Sequence, residues 1–241
     1  MCGRFSLTTP LEGLRALFLF EESPNLPARY NIAPTQQVAA VRSGEDGRRH
    51  LALLRWGLVP GWAKDLSIGS RLINARSESV AAKPAFRQAF ARRRCLVAAD
   101  GFYEWQAQGK GPKQPYRLEF SARRPFAFAG LWERWHSPAT AAGEPATLEA
   151  CCILTTDANA VLAPIHDRMP VILEPRSFDA WLGAGTPPAD LQALLRPYPA
   201  SGGGYGPLGA YAISTLVNKV ANDGPKLLEP LDRGGPRKTL F

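Results

Sequence analysis

Histidine is scarce in this chain and cysteine is unpatterned: three histidines and four cysteines occur in 241 residues, and no two cysteines form a CxxC pair. His50, His136 and His166 are too dispersed to suggest a metal cluster, and no metal or other cofactor is expected. Cys2, Cys95, Cys151 and Cys152 lack the spacing of a disulfide framework, and a chain of this length needs no covalent staples, which fits a reducing cytoplasm. Long apolar runs are missing too. Nothing approaches the ~20 residues of a membrane span, and Arg4 interrupts what could have begun a leader segment, so neither membrane insertion nor secretion is expected. Acidic side chains are outnumbered, 21 against 29 Lys and Arg, leaving a formal net charge of +8. That excess favours polyanionic partners such as nucleic acid, although charge alone does not establish one.

What is present suffices for a sizeable core, with 45% hydrophobic residues and 10% aromatics. One domain is expected over 1–224, followed by a Pro-, Gly- and charge-rich tail, 225–241, that is partly disordered. Thr9-Pro10-Leu11-Glu12 reads as a capping box with proline at the first helical position. It opens a helix over 10–20 whose Leu11, Leu14, Leu17 and Phe18 share one stripe. Two short runs, 37–42 and 50–56, flank a turn and predict a β-hairpin. The stretch 77–94 is helical in pattern but contains Pro84, which predicts a short helix, a break, and a second helix carrying Phe86 and Phe90. Its terminal Arg92-Arg93-Arg94 suits the negative end of a helix dipole better than a DNA contact. Strands are expected at 95–99, 102–106, 116–120, 126–131, 147–155, 169–173 and near 211–215, with helices over 177–182 and 187–195. Many short strands with interspersed helices predict an α+β fold, mainly antiparallel. Cys95 and the Cys151-Cys152 pair lie in apolar runs and read as buried small hydrophobes.

Cys2 stands apart by position. Cleavage after Met1 would place a free α-amine, with a reference pKa of about 7.7 to 8.0, beside a thiol of about 8.5. The amine can condense with an aldehyde to an imine, and the thiolate can then close a five-membered thiazolidine ring, a far less reversible product. Taken alone, a chance cysteine behind a removable methionine explains the position equally well.

Four segments hold polar residues where packing would not ask for them: Met1-Cys2-Gly3-Arg4-Phe5, Leu72-Ile73-Asn74-Ala75-Arg76-Ser77-Glu78, Asp100-Gly101-Phe102-Tyr103-Glu104-Trp105 and Pro164-Ile165-His166-Asp167-Arg168-Met169-Pro170. Glu104, flanked by three aromatics, would lie in a poorly solvated setting that raises a carboxylate pKa toward the range of a general acid or base. Periodicity alone would place it equally well on an exposed strand face. Asn74, between apolar neighbours, would need partners for its amide. His166 can titrate near neutrality, yet a lone histidine is more often structural.

These segments, in this order, resemble the SOS response-associated peptidase family, also called SRAP or abasic-site processing proteins. Arg29-Tyr30-Asn31-Ile32-Ala33-Pro34 and Trp56-Gly57-Leu58-Val59-Pro60-Gly61-Trp62 agree with it, and the resemblance covers nearly the whole chain. It implies an α+β fold with a β-barrel-like core and flanking helices. It further implies self-removal of Met1, binding of single-stranded DNA at abasic sites and covalent linkage of Cys2 to the sugar aldehyde. Cys2, Asn74, Glu104 and His166 would then be catalytic. Arg4 and Arg76 would meet the phosphates flanking the lesion, and Trp62 and Pro34 would supply an apolar platform and wedge for a splayed base. A monomer without membrane attachment is expected, acting in the cytoplasm at the nucleoid if the source is bacterial. Contact with replication machinery is compatible with this chemistry, but no motif specifies it. Ala63 departs from the family, in which a second aromatic commonly follows the Trp of Pro-Gly-Trp. Two rival readings remain at this stage: a thiol peptidase acting in trans through Cys2 and His166, and a non-enzymatic single-strand-binding module.

Overall fold

The apolar runs at 95–99, 126–131 and 150–155 are buried on both faces, one turned into a closed ring of strands and the other covered by the elements packed around it. In the computed structural model, which describes residues 2–137 and 147–231, the elements run in the order β1 (Phe5–Leu7), α1 (Leu11–Phe18), β2 (Arg29–Ile32), β3 (Gln37–Ser43), β4 (Arg49–Trp56), β5 (Asn74–Arg76), α2 (Arg87–Arg92), β6 (Arg94–Ala99), β7 (Gly101–Gln108), β8 (Gly111–Phe120), β9 (Phe126–His136), β10 (Thr147–Asp157), β11 (Arg168–Pro170), β12 (Ile172–Leu173), α3 (Phe178–Leu182), α4 (Pro188–Ala193) and β13 (Leu208–Ala212). Strands β3, β4, β10, β9 and β6 pair in a ring, since β10 bonds to both β4 and β9. Closure removes the free edges that an open sheet would expose. The ring is antiparallel except where β10 runs parallel to β4, and β5 also joins β10 in parallel.

A second, five-stranded sheet has the order β13-β8-β7-β1-β2. The amino-terminal strand β1 is therefore interior, with β7 on one side and β2 on the other. Sheet and barrel are joined by aromatics. Phe5 of β1 meets Trp56 of β4 at 5.1 Å and Phe128 of β9 at 5.8 Å between ring centroids, while Phe102 of β7 meets Phe128 at 5.8 Å, all edge-on. Such pairs contribute roughly 0.5–1.5 kcal/mol each beyond the area they bury. No helix among the described residues is long and apolar enough to cross a membrane.

Several elements differ from the sequence expectation. Helix α1 begins after Pro10 with no side-chain cap, because the Thr9 hydroxyl and amide both bond to Asp100, at 3.2 and 2.9 Å. It ends at Phe18, with Leu19 left-handed at φ 59°. The stretch 77–86 forms turns instead of a helix, and only Arg87–Arg92 is helical. The arginine run at its end divides its work: Arg93 pairs with Glu133 at 2.7 Å, while Arg94 donates to the carbonyls of Phe90, Ala91, Trp181 and Gly183, closing the ends of α2 and α3. The last strand among the described residues is Leu208–Ala212, ahead of the expected 211–215. The expected tail starts packed: Leu227 is buried against Tyr103, Ile213 and Val217, and Leu231 N–H donates to Ala212 O at 2.7 Å. The rest of it, 232–241, lies outside the described residues.

Candidate active site

Cys2 is held by what surrounds β1. Phe5 pairs with Phe102 across β1 and β7, and Tyr103 N–H donates to Arg4 O at 3.0 Å, so the first residues run into the seam between sheet and barrel. The Trp56 ring that packs on Phe5 also donates its indole N–H to Ile73 O at 2.9 Å. One barrel side chain thus sets both the strand that follows Cys2 and the residue that precedes Asn74.

The alternation of β5 does the rest. Ala75 is buried and aligned with Leu154 of β10, which turns Asn74 and Arg76 to the opposite face. Asn74 Nδ2 donates to Cys2 O at 2.8 Å, and Asn74 Oδ1 is enclosed with no hydrogen bond among the described residues. The amide thus grips the Cys2 carbonyl, one of the partners its position between apolar neighbours demands.

Glu104 shares a face of β7 with Phe102 and is 2% exposed. The solvated-strand alternative is excluded. Burial is the main cause that raises its carboxyl to about 7. Cys2 is fully buried, and burial pushes its thiol well above the usual range, with the Glu104 charge adding to the effect. The two groups therefore sense one another in a poorly solvated space.

His166 follows a tight turn in which Asn159 Oδ1 accepts the N–H groups of Val161 and Leu162 at 3.1 Å. Gln106 of β7 ties this turn to the five-stranded sheet through Pro164 O at 2.9 Å. His166 Nδ1 accepts Arg168 N–H at 2.9 Å, and burial lowers the ring pKa, so the imidazole is biased toward its neutral form. Arg168 was not singled out from sequence. It fixes this loop by reaching Glu78 at 2.6 Å, Asp157 at 2.7 Å and Thr155 O at 2.7 Å.

The expected DNA-binding residues divide by exposure. Arg76 is exposed, and Trp62 is exposed at 62%, in the loop after β4. That loop needs Gly57, whose φ is 130° and whose absent Cβ would lie 2.6 Å from Gly69 O. Trp62, Pro84, Arg87, Gln88 and the Arg93–Glu133 pair line an open groove of about 650 Å³. Ala63, by contrast, is buried beside Trp135, whose indole donates to Ala63 O at 2.7 Å, so the space behind Trp62 is filled from β9. Pro34 is half-buried, in a turn that Thr35 completes at φ 73°. Arg4 is the least free: its Nη1 donates to Asn31 Oδ1 and to Val217 O, both at 2.8 Å. Sequence reasoning missed Asn31 as a partner. Its one signal was a buried-type position in β2 filled by an amide.

The described structure thus brings Cys2, Asn74 and Glu104 together and ties the loop of His166 to the same strand as Glu104, while Trp62 and Arg76 lie on the outside. A sequence model of the SOS response associated peptidase (SRAP) family matches residues 1–220. Among curated proteins, the chain is 40% identical over 233 residues to abasic site processing protein YoqW of Bacillus subtilis, covering 95% of this chain and 99% of that one. It is 41% identical over 234 residues to abasic site processing protein YoaM of the same organism, covering 95% and 98%. A crystal structure of a protein from Bacteroides thetaiotaomicron superposes with a TM-score of 0.83 at 24% identity, over 95% of this chain and all of that one, a likeness of fold.

Proposed function

The chain belongs to the SOS response associated peptidase family, and from that premise we propose that it processes abasic sites in single-stranded DNA by covalent capture through Cys2 once Met1 has been removed. The observation that carries this reading is the burial of Glu104 beside Cys2, with the carboxyl raised to about 7. A carboxyl poised there can both give and take a proton at neutral pH, which each step of the capture requires.

The α-amine of Cys2 adds to the aldehyde of the open sugar, and loss of the former carbonyl oxygen as water leaves a C=N bond. The thiol then adds to that carbon, forming a C–S bond as its proton passes through Glu104 to the nitrogen. No oxidant or reductant enters. The raised thiol pKa sets the order, because a protonated thiol is a poor first nucleophile and the amine acts ahead of it. Asn74 holds the Cys2 carbonyl and keeps Oδ1 for a donor on the liberated amine or the sugar. His166, biased toward the neutral imidazole with Nδ1 accepting from Arg168, helps the sugar open by turning Nε2–H toward the ring oxygen as a hydrogen bond, while Glu104 supplies the proton. Arg76 and Arg4 meet phosphates, Trp62 stacks on a base, and Pro34 wedges beside it.

A thiol peptidase acting in trans is disfavoured by the same burial. Such a nucleophile needs a depressed thiol pKa, and burial pushes that of Cys2 the other way. Intact mass spectrometry tests the proposal: loss of Met1 from the purified protein, then a one-to-one adduct with an abasic single strand that survives denaturation. A protein that keeps Met1, or gains no adduct at neutral pH, removes it.

A further inference from the structure

The segment 213–231 is more than a trailing end, because its backbone carbonyls converge on one buried amide. Asn31 of β2 is 1% exposed. Its Nδ2 faces the carbonyls of Val217, Lys219 and Asn222 at 3.2, 3.1 and 2.7 Å, while its Oδ1 accepts from Arg4 Nη1. Val217 O also accepts from Arg4 Nη1, which uses both protons of that nitrogen. The segment is tied down again where Trp105 Nε1 donates to Asn218 Oδ1 at 2.8 Å, where Tyr30 N–H donates to Asp223 Oδ1 at 2.5 Å, and where Val217 is buried against Tyr103.

Arg4 is thereby held as an unneutralised cation. Among the described residues no carboxylate lies within ion-pair distance of it, and burial lowers its pKa. Its Nε is enclosed without a hydrogen-bond partner among the described residues, and its guanidinium lies 5.9 Å from the centre of the Trp105 ring. Neutral oxygens orient the fork without cancelling its charge, which is what a receptor for an anion requires.

We propose that Asn31 and the strap 213–223 form a positioning device that presents Arg4, charge intact, to a phosphate of the bound strand. This rests on the functional reading above, and it assigns a role there to two elements that touch neither DNA nor the reacting atoms. An amide is required at position 31. Aspartate would keep the bond to Arg4 but neutralise it, and would turn an oxygen toward three carbonyl oxygens, unseating the strap.

The test uses a fluorescent single-stranded oligonucleotide without a lesion for affinity, and the same oligonucleotide with one abasic site for capture. Asn31→Asp is expected to weaken binding of the intact strand about tenfold at low salt and to reduce the slope of log affinity against log salt by about one, as Arg4→Gln does. The double variant should be no weaker than Arg4→Gln alone. Additive losses, or an unchanged salt slope in Asn31→Asp, overturn the proposal. If Asn31→Asp does not fold, Asn218→Ala probes the strap from its outer side. A roughly threefold loss of affinity that vanishes in the Arg4→Gln background supports the proposal, and an equal loss in both backgrounds overturns it. Wild-type protein that binds the strand but captures no abasic site refutes the covalent reading while leaving the affinity comparison readable.

Discussion

Both sheets bury thiols, and the contrast between them separates packing from chemistry. In the barrel, Cys95, Cys151 and Cys152 are fully buried among aliphatic and aromatic side chains, and desolvation alone dominates their raised pKa values. At the seam beside the five-stranded sheet, Cys2 is equally buried, yet a carboxylate and a side-chain amide lie against it. As wholes the sheets differ less, since β6, β9 and β10 also bury Arg94, Glu133, Thr155 and Thr156, but the five-stranded sheet links its buried polar groups to one another. Ser6, Asn31, Asp100, Glu104 and Arg117 are all buried in or beside the five-stranded sheet. Ser6 donates to Asp100 at 2.6 Å and Arg117 donates to Ser6 at 2.9 Å, so the interior of that sheet is wired by polar bonds. Burial by itself makes a thiol inert; burial beside groups that can exchange protons gives it something to do.

Exchanging the thiols tests the contrast most severely. Cys2→Ala should abolish the DNA adduct in intact mass spectra, whereas Cys152→Ala should leave the adduct yield unchanged and lower stability by roughly 1–2 kcal/mol through a small cavity. An adduct in Cys2→Ala, or its loss in Cys152→Ala, would erase the distinction.

Glu104→Gln sharpens it next. Capture at pH 7 should slow about 100-fold, and the variant should be more stable than wild type in alkaline buffer. The sign follows from the raised carboxyl, whose folded value of about 7 lies above its reference of 4.5. Between those values the unfolded chain releases its proton first, so wild-type stability falls as pH rises and stays reduced above pH 7. The penalty is about 3 kcal/mol at most. Denaturant unfolding at pH 8 should therefore favour Glu104→Gln, and at pH 4 the two proteins should match. A stability difference from the variant that stays flat from pH 5 to 7 would mean that Glu104 is ionised in the fold.

The smallest effect concerns the exterior. Trp62→Ala should weaken single-strand binding by roughly 1–3 kcal/mol, as expected for one stacked base, with no change in melting temperature, since the ring is exposed. A drop in melting temperature would transfer Trp62 to the packing side of the comparison.

Local chemistry wrote much of this into the sequence. The hairpin of β3 and β4, the buried strands and the polar residues inside apolar runs were legible because alternation and turn residues act over a few positions. Closure of the barrel through parallel pairing of β10 with β4 was not, since register between distant strands leaves no local pattern. The strap was hidden for a related reason. It is held by backbone carbonyls, which any residue supplies, and its organising amide lies 186 residues away from Val217. Helix α1 shows the opposite failure, in which a good local signal at Thr9 was overridden by a buried carboxylate, Asp100, that competes for the same hydroxyl.

The interior placement of β1 also dictates when the chain can be completed. Arg4 reaches a carbonyl 213 residues further on, so the bond that fixes the residue ahead of β1 can form only after nearly the whole protein has been made. Until the strap 213–223 has emerged that lock stays open, and its arrival fastens the first turn of chain to one of the last.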